Sequence, residues 1–400
     1  MKITQVAKSI AIAILCITIA ASVYACGVGQ ANEPDPTPTP QPTATPTPPP
    51  ATPEPTPTPV VLVPYEGVVE HIFFHEVIAF PEVAFSAVVR QDYDPEMVTA
   101  HEFLNILESL YNNDFILVDL NEVWTEFTNE NGQLRMVRNT LMLPEGKKPI
   151  VISFDDLSFY EYMHGNGFMR RYIIGDDGDI WAEGYDPNGA HIVSQDLTVI
   201  TILDKFVREN PGFSHNGAKG CIALTGYEGV LGYRTQNDPE NNTEAFRLNR
   251  MQEVARARPV VERLKETGWY FASHSYGHIR IATMSLERVQ ADAERWMDEV
   301  GSIVGETKIF IYPFGERLDG ADQGVPGPAF RFYVDLGFRF FASVGREPFT
   351  QIKAEVPAVI MDRMLVGGRT LRNSRDRYIR LFDAAEVFDP KRPEGEANWD

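Results

Sequence analysis

The chain has 400 residues and a formal net charge of −20, and 44% of its residues are hydrophobic and 11% aromatic. This composition excludes a fibrous or wholly disordered protein, because it supplies enough apolar material for a large core. The negative charge argues against nucleic acid or an anionic lipid surface as the main partner, since both would repel the protein. Neutral or cationic ligands, sugars among them, fit this charge.

The N-terminal 25 residues have the pattern of a secretory signal peptide. Two lysines flank or precede an apolar run at residues 10–21, which is shorter than the roughly 20 residues of a membrane-spanning helix. Val-Tyr-Ala-Cys at 23–26 resembles a bacterial lipobox, although Tyr24 replaces the usual small residue, so plain cleavage is the alternative. We predict a signal peptide at 1–25, a lipid on Cys26, and export to the outer face of the bacterial membrane or the cell wall.

A proline- and threonine-rich stretch follows, and 13 of the chain's 29 prolines lie between Pro34 and Pro59. Proline fixes φ and lacks an N–H, so the stretch can form neither helix nor sheet and should extend as polyproline II at about 3.1 Å per residue. We predict a lipid-anchored spacer at 26–60 that holds a catalytic domain at 61–400 away from the membrane. A plain flexible tail is the alternative.

Beyond residue 60, strand-like apolar runs alternate with helical patterns, as parallel β-α units do. Roughly six to eight such units would close into a barrel with its chemistry at the C-terminal ends of the strands. In chain order, the predicted strands are residues 68–74, 149–154, 221–224, 269–272, 309–312, 338–343 and 358–361, and the predicted helices are residues 96–111, 197–207, 254–265, 286–304 and 328–336.

Three polar clusters each follow a predicted strand. Ser-Phe-Asp-Asp at 153–156 contains two adjacent carboxylates, which are costly unless a cation or hydrogen bonds compensate for them. His-Ser-Tyr-Gly-His at 274–278 places two imidazoles four residues apart, where they can share one metal ion. Tyr-Pro-Phe-Gly-Glu at 312–316 is a turn. Taken alone, the first cluster also fits an Asx turn or a helix cap, and the second fits packing.

Together the clusters indicate a metal site, because a carboxylate and two histidines from separate strand ends form an N,N,O site with open positions. The remaining carboxylate can act as a general base toward water, as in a metal-assisted hydrolase acting on an acyl group. A glycosidase is an alternative, but the side chains of Asp155 and Asp156 diverge, whereas glycosidase carboxylates flank a bond from opposite sides.

These motifs resemble those of the polysaccharide deacetylases, carbohydrate esterase family 4. Residues 153–156 match the family's (T/S)FDD motif, residues 274–278 match H(S/T)xxH, and Pro-Phe-Gly at 313–315 is similar to the end of its third motif. The lead-in at 268–273 and the aromatic-His end of the first strand at 73–75 also look like the family. The likeness runs from about residue 68 to about residue 371.

The resemblance implies an α/β fold, a distorted (β/α)7 barrel, and a divalent transition metal, with Zn²⁺ the first candidate, held by Asp156, His274 and His278. It implies Asp155 as the catalytic base and the backbone N–H of Phe314 as part of an oxyanion site. It also implies an acetylated glycan as substrate, such as peptidoglycan, chitin-like oligomers, poly-N-acetylglucosamine or O-acetylated xylan. The candidate substrate and oxyanion residues are Tyr312, Phe314, Arg363 and Arg369.

The chain departs from the family in its later motifs. Ile311 stands two residues before the proline of the third motif, where arginine is common, and no histidine follows His278. The usual pocket tryptophan is missing as well. The late histidine that protonates the leaving amine is therefore absent, and the arginines at 363 and 369 near its place cannot donate that proton, since arginine is effectively never deprotonated.

We predict that His75, at the end of the first strand, is the catalytic acid. General acid assistance is typically worth about 10²–10⁴ in rate, so an enzyme without any acid would be slow. A catalytically weak, glycan-binding relative on the cell surface is therefore the alternative function.

Two glycine-containing segments lie between the first and second motifs. Residues 175–179 look like a calcium loop but lack the later bidentate glutamate of an EF-hand, which favours a solvated turn. Residues 225–229 follow a predicted strand and are expected to line the cleft, with an ordinary turn as the alternative.

Overall fold

This computed structural model describes residues 60–87, 90–241, 243–318 and 327–393. The predicted signal peptide at 1–25, the predicted lipid attachment at Cys26 and the predicted spacer up to residue 59 lie outside the described residues. Within the described ranges, no helix combines the length and hydrophobicity that crossing a membrane requires.

The described residues contain strands of two kinds, barrel strands and short antiparallel strands. In chain order they are β1 (Leu62–Tyr65), β2 (Glu70–Phe74), β3 (Phe115–Leu117), β4 (Trp124–Thr128), β5 (Leu134–Arg138), β6 (Leu141–Pro144), β7 (Lys148–Asp155), β8 (Arg171–Ile174), β9 (Ile180–Tyr185), β10 (His191–Ser194), β11 (Cys221–Leu224), β12 (Tyr270–Ser273), β13 (Ile309–Ile311), β14 (Phe340–Val344), β15 (Thr350–Ile352) and β16 (Val359–Leu365).

The helices lie between or after the barrel strands. They are α1 (Pro81–Ala84), α2 (Arg90–Tyr93), α3 (Ala100–Asn112), α4 (Leu120–Val123), α5 (Val199–Glu209), α6 (Glu244–Glu266), α7 (Leu286–Trp296), α8 (Ser302–Val304), α9 (Pro328–Asp335), α10 (Gly368–Asn373) and α11 (Ala384–Val387). Of these, α3, α5 and α6 pack against the outer face of the barrel. A π-helical turn over Met297–Gly301 joins α7 to α8, so the helix predicted at 286–304 is helical throughout.

Seven parallel strands close into a barrel in the order β7-β11-β12-β13-β14-β16-β2, and β2 pairs with β7 to complete the ring. This confirms the predicted distorted seven-stranded barrel. The prediction succeeds because parallel strands are covered on both faces and so read as continuous apolar runs. In β7, every residue from Pro149 to Asp155 is buried.

Alternate residues of the barrel strands point into the barrel and form its inner core. Val151, Ala223 and Ile311 belong to this inner cluster, whereas their neighbours Ile152, Ile222 and Leu224 pack against the outer helices. This alternation sets which side chains reach the C-terminal mouth of the barrel, because strand residues two apart face the same side. The inward series on β7 ends at Asp155.

The structure also contains short antiparallel sheets, which the sequence did not predict. β1 pairs with β6, β4 with β5, and β8, β9 and β10 form a three-stranded sheet inserted between β7 and α5. The segment at 175–179 is the turn between β8 and β9, closed by a hydrogen bond from Gly175 N to Asp179 O of 2.9 Å. The solvated turn favoured for this segment is therefore what the structure contains.

The C-terminal segment is tied to the start of α3 by a buried ion cluster. Arg392 is fully buried and donates to both carboxylate oxygens of Glu102, at 2.6 and 2.7 Å, and also to Asp94. Glu102 in turn forms the capping box of α3 with Thr99. One carboxylate thus links the helix start, near the N-terminal end of the domain, to residue 392.

Candidate active site

A cleft of 570 Å³ lies at the C-terminal mouth of the barrel, where the predicted site residues converge. Side chains from the ends of several barrel strands line it, as expected for a parallel β-α barrel. The predicted residues that line the cleft are His75, Asp155, Asp156, His274, His278, Tyr312, Phe314 and Arg363. Arg369 is not among the lining residues; its guanidinium lies 3.7 Å from the carboxylate of Glu96, which does line the cleft.

Asp156, His274 and His278 meet as a possible metal site, with one ligand atom from each within 4.8 Å of the others. The Nε2 atom of His278 lies 3.7 Å from Oδ2 of Asp156. His274 Nδ1 lies 2.9 Å from the carbonyl oxygen of Ile311, which can only accept, so Nδ1 carries the proton and Nε2 is left as the ligand. Two imidazoles and one carboxylate fit a divalent transition metal.

Residues in the left-handed backbone conformation bring these ligands together. Asp156, Ser275, His278 and Phe314 have φ values of 63°, 57°, 47° and 57°. Such conformations are costly for residues other than glycine and cluster at functional sites, where surrounding contacts maintain them. The tight turns after β7, β12 and β13 therefore serve to aim side chains into one cleft.

Arg363 forms a pair of hydrogen bonds with the carboxylate of Asp155. Its Nη1 and Nη2 atoms donate to Oδ1 and Oδ2 at 2.7 and 2.9 Å, and its Nη1 also donates to the hydroxyl of Ser153 at 3.0 Å. The guanidinium lies 4.1 Å over the ring of Phe73, and the Arg363 side chain is fully buried. The sequence predicted a substrate or oxyanion contact for Arg363; the structure pairs its guanidinium with the candidate base.

This pairing determines the charge of Asp155. Burial alone would raise the pKa of Asp155, but Arg363, assisted by His274 and His75, outweighs burial and lowers the pKa to about 2. The carboxylate is therefore ionised throughout the neutral range. Since its pKa is lower in the folded than in the unfolded chain, the stability it contributes is present above about pH 4 and is lost as the pH falls towards 2.

We expect Arg363→Met to move the acid limb of the pH–activity profile to higher pH. Without the guanidinium, burial dominates and the pKa of Asp155 rises, so the carboxylate is protonated at a pH where the wild-type group is still ionised. The check is kcat/KM against pH at constant metal content, with Arg369→Met as the matched control because that side chain is half-exposed. An acid limb that does not move in Arg363→Met would contradict the coupling.

The remaining predicted residues form the walls of the cleft. His75 Nδ1 lies 3.1 Å from the carbonyl oxygen of Glu96, so it donates there and leaves Nε2 to exchange a proton. Tyr312 is 1% exposed and lies in the wall, whereas Phe314 is 52% exposed at the rim. The Phe314 ring centroid is 4.4 Å from that of His278, and the Arg280 guanidinium lies 4.3 Å over the Phe314 ring.

Tyr160, which the sequence reading missed, orients the metal-site carboxylate. Its hydroxyl donates to Oδ1 of Asp156 at 2.7 Å and lies 2.6 Å from the hydroxyl of Thr225. Because a phenol has one hydrogen, Thr225 must donate to Tyr160, which leaves Oδ2 of Asp156 for the ion. Tyr227 stacks on Tyr160 with ring centroids 4.7 Å apart. Residues 225–229 thus contact Asp156 indirectly, through Tyr160. Contrary to expectation, they are not among the residues that line the cleft.

Tyr160→Phe should weaken metal binding by about 10–100-fold while leaving the fold intact, since partners of metal ligands typically contribute that much. The measurement is the dissociation constant for Zn²⁺ or Co²⁺ by competition with a chelating dye. Tyr162→Phe is the matched control, because its ring stacks on Tyr160 but its side chain is 41% exposed. Equal affinities in the two variants would refute this role for the phenol.

Comparison with known proteins bears on the same motifs. Residues 240–325 match the family model described as polysaccharide deacetylase. That range contains His274, His278 and the turn at 313–315, while Asp155 and Asp156 lie before it. The match confirms the resemblance that the motifs indicate, and with it the predicted enzyme class, hydrolases of non-peptide carbon–nitrogen bonds. No protein of curated function matches the chain.

The solved structures that are similar to the chain include three at 12% identity. The Streptococcus pyogenes deacetylase PplD in complex with acetate aligns over 80% of this chain and 99% of its own, with a TM-score of 0.42. BC0361, a polysaccharide deacetylase from Bacillus cereus, aligns over 80% and 69%, with a TM-score of 0.41. IcaB from Ammonifex degensii aligns over 80% and 97%, with a TM-score of 0.39. Likeness at this level carries no argument about substrate.

Proposed function

We propose that this chain, whose residues 240–325 match the polysaccharide deacetylase family model, removes acetyl groups from N-acetylated or O-acetylated surface polysaccharide. The observation that carries the proposal is the convergence of Asp156, His274 and His278 beside a second, ionised carboxylate in one open cleft.

Asp156, His274 and His278 would hold the ion, which we propose is Zn²⁺. When bound, such an ion acts as a Lewis acid and lowers the pKa of water. The ligand directions support this assignment, because Ile311 fixes the proton of His274 on Nδ1 and Tyr160 occupies one oxygen of Asp156.

Asp155 is proposed to take a proton from the attacking water. Its carboxylate is ionised and held rigidly by Arg363, and its Oδ2 lies 3.9 Å from Nε2 of His274, next to the metal ligands. As the new carbon–oxygen bond forms and the carbon–nitrogen bond breaks, the departing nitrogen needs a proton. His75 is proposed to supply it from Nε2, which releases a glycan amine and acetate.

Acetate release from a panel of acetylated glycans tests the proposal. We expect the metal-loaded protein to release acetate from at least one of peptidoglycan, chitin oligomers, poly-N-acetylglucosamine or acetylated xylan, and to stop when a chelator removes the ion. The glycan that gives the highest kcat/KM identifies the substrate class. A protein that binds metal and glycan but releases no acetate would instead support the weakly catalytic, glycan-binding alternative, which is motivated by the absence of histidine after His278.

His75→Ala should lower kcat on N-acetyl substrates by about 10²–10⁴ with unchanged metal content, because a general acid contributes that much. The loss should be smaller on an activated acetyl ester, whose leaving group departs without a proton. Equal losses on both substrates would show that His75 shapes the site instead of donating a proton, and no loss on either would place the acid elsewhere.

We further propose that the protein is exported and anchored by a lipid on Cys26, with residues 26–60 as the lipid-anchored spacer. The lipobox-like residues 23–26 and the proline-rich stretch support this proposal. Mass spectrometry of the mature N-terminus is the test, and a Cys26 terminus without acyl chains would refute the anchor.

A further inference from the structure

The turn that joins the two imidazole ligands, residues 275–277, is not helical. The described residues 274–278 belong to no helix, and Ser275 and His278 have φ values of 57° and 47°. Left-handed backbone is unfavourable for residues with a side chain and persists only where surrounding contacts hold it. The separation of His274 and His278 is therefore set by the contacts of this turn and not by the regular spacing of a helix.

One carboxylate, that of Asp292, binds the middle of the turn. Its Oδ1 accepts the backbone N–H of Tyr276 at 2.7 Å, and its Oδ2 accepts the backbone N–H of Gly277 at 2.9 Å. Asp292 lies on α7 and is only 5% exposed, so these two N–H groups have little access to water as an alternative partner. Buried backbone N–H groups are costly to leave unpaired, and here both depend on one side chain.

The opposite side of the turn is bound by backbone groups. The carbonyl oxygen of Tyr276 accepts the N–H groups of Gly226 and Tyr227 at 2.8 and 3.1 Å. Gly226 allows this close approach, because a Cβ atom at that position would lie 2.1 Å from the Tyr276 ring. The middle of the turn is thus bound on one side by the segment after β11 and on the other side by α7.

Helix α7 is fixed relative to the first ligand. Trp296, at the end of α7, donates from Nε1 to the carbonyl oxygen of Leu224 at 2.7 Å, and the backbone N–H of His274 donates to the same oxygen at 3.0 Å. The helix and His274 therefore share one acceptor at the end of β11. Because α7 cannot shift relative to His274 without breaking one of these bonds, Asp292 determines where the rest of the turn, and with it His278, lies.

The residue type at position 292 matters, because only a carboxylate offers two acceptor oxygens here. Burial raises the pKa of Asp292, and the N–H groups of Tyr276 and Gly277 oppose that rise. An asparagine would avoid the cost of burying a charge, but it has one acceptor oxygen and would turn an NH2 group towards the second N–H. The two hydrogen bonds to the turn thus require the more costly side chain.

We propose that Asp292 is a positioning residue for the metal site. By accepting the N–H groups of Tyr276 and Gly277, it keeps the two imidazole ligands at the separation that one ion requires. This inference rests on the proposed assignment of His274 and His278 as ligands. It adds a residue that acts on both ligands through the backbone between them.

Titration with Co²⁺ tests the proposal without any measurement of activity, because the visible absorption of bound Co²⁺ reports both affinity and ligand geometry. Asp292→Asn keeps the size of the side chain and removes one acceptor. We expect it to bind Co²⁺ at least about tenfold more weakly than the wild type, as is typical when a group that orients metal ligands is lost, and to give a different absorption spectrum at saturating Co²⁺. Asp292→Glu keeps both oxygens and should lose less affinity.

Asp204→Asn is the matched control. Asp204 is also a largely buried carboxylate on an outer helix, α5, where it accepts hydrogen bonds from Lys219 and from Nε1 of Trp269. Neither partner belongs to the turn at 275–277. This variant should therefore have a lower Tm than the wild type, with unchanged affinity for Co²⁺ and an unchanged spectrum.

The proposal is overturned if Asp292→Asn binds Co²⁺ with the affinity and spectrum of the wild type, or if Asp204→Asn weakens binding as much. If Asp292→Asn does not fold, Asp292→Glu decides the matter, because its longer side chain must move the turn and change the spectrum of bound Co²⁺. An unchanged spectrum and affinity in that variant would overturn the proposal. A wild type that binds no Co²⁺ would instead overturn the ligand assignment itself, and the role of Asp292 with it.

Discussion

Asp155→Asn should retain the metal ion and lose about 10²–10⁴ in kcat, the contribution typical of a general base. The amide keeps the size of the side chain but cannot accept a proton from water. Its NH2 group also faces the donors of Arg363, so a buried guanidinium loses its counter-ion. We therefore expect the free energy of unfolding to fall by about 3–5 kcal/mol, the usual cost of breaking a buried pair from one side.

Asp156→Asn is the comparison that separates the two carboxylates. Asp156 is proposed as a metal ligand, so its amide variant should bind Zn²⁺ more weakly and regain turnover at high metal concentration. Metal content by atomic emission and kcat at saturating metal distinguish the two variants. If both variants lose metal to the same extent, the division of roles between Asp155 and Asp156 is wrong.

His274→Ala should abolish tight metal binding and with it acetate release. Of the two imidazole ligands, His274 is the one whose orientation is fixed, by Ile311, and it lies at the end of β12, almost completely buried. Its removal leaves one imidazole and one carboxylate, too few for a stable site of this kind. Equilibrium dialysis with Zn²⁺ measures the effect.

The matched control for this variant is His191→Ala. His191 is 53% exposed on β10, where its Nε2 lies 3.3 Å from Oε2 of Glu183, and it does not line the cleft, so metal stoichiometry should not change. One tightly bound ion per chain in His274→Ala would refute the assignment of the site.

The sequence predicts the barrel strands well and the short antiparallel sheets poorly. Barrel strands such as β11, and β7 from Pro149 onwards, are buried along their length, so composition alone marks them. Helix α6 begins ten residues before the predicted start, because its first half is largely exposed and mixes polar residues with exposed apolar ones such as Leu248 and Met251, which form no buried face. The small sheets have strands of four to six residues with half-exposed faces, which are too short for a reliable pattern.

A turn signal for those sheets was nevertheless present. Asn131-Gly132, Asp177-Gly178 and Asn188-Gly189 lie in the β4–β5, β8–β9 and β9–β10 connections, and all three glycines have positive φ. Such dipeptides between short apolar runs are the strongest local indication of a hairpin. The hairpins could therefore have been predicted from the turns even though the strands could not.

The residues of the candidate site likewise fall into those that the sequence predicts and those that it does not. The motif residues are predictable because each cluster lies within a few consecutive residues and its chemistry is local. Arg363, in contrast, pairs with Asp155 across 208 residues of sequence, and nothing near either residue indicates the other. Tyr160 follows Asp156 by four residues, but only the fold shows that its hydroxyl turns back to that carboxylate.

The closure of the barrel has a consequence for the order in which the chain can fold. The ring is completed by pairing β2 with β16, its first and last strands, and Arg392 then binds Glu102 near the N-terminal end. Contacts between such distant residues slow folding, because the loop entropy is lost before the contacts form. During synthesis the apolar strands therefore cannot close into the barrel until nearly the whole chain is available. Refolding should show one slow, late step in which protection of the β2 and β16 amides against hydrogen exchange appears together.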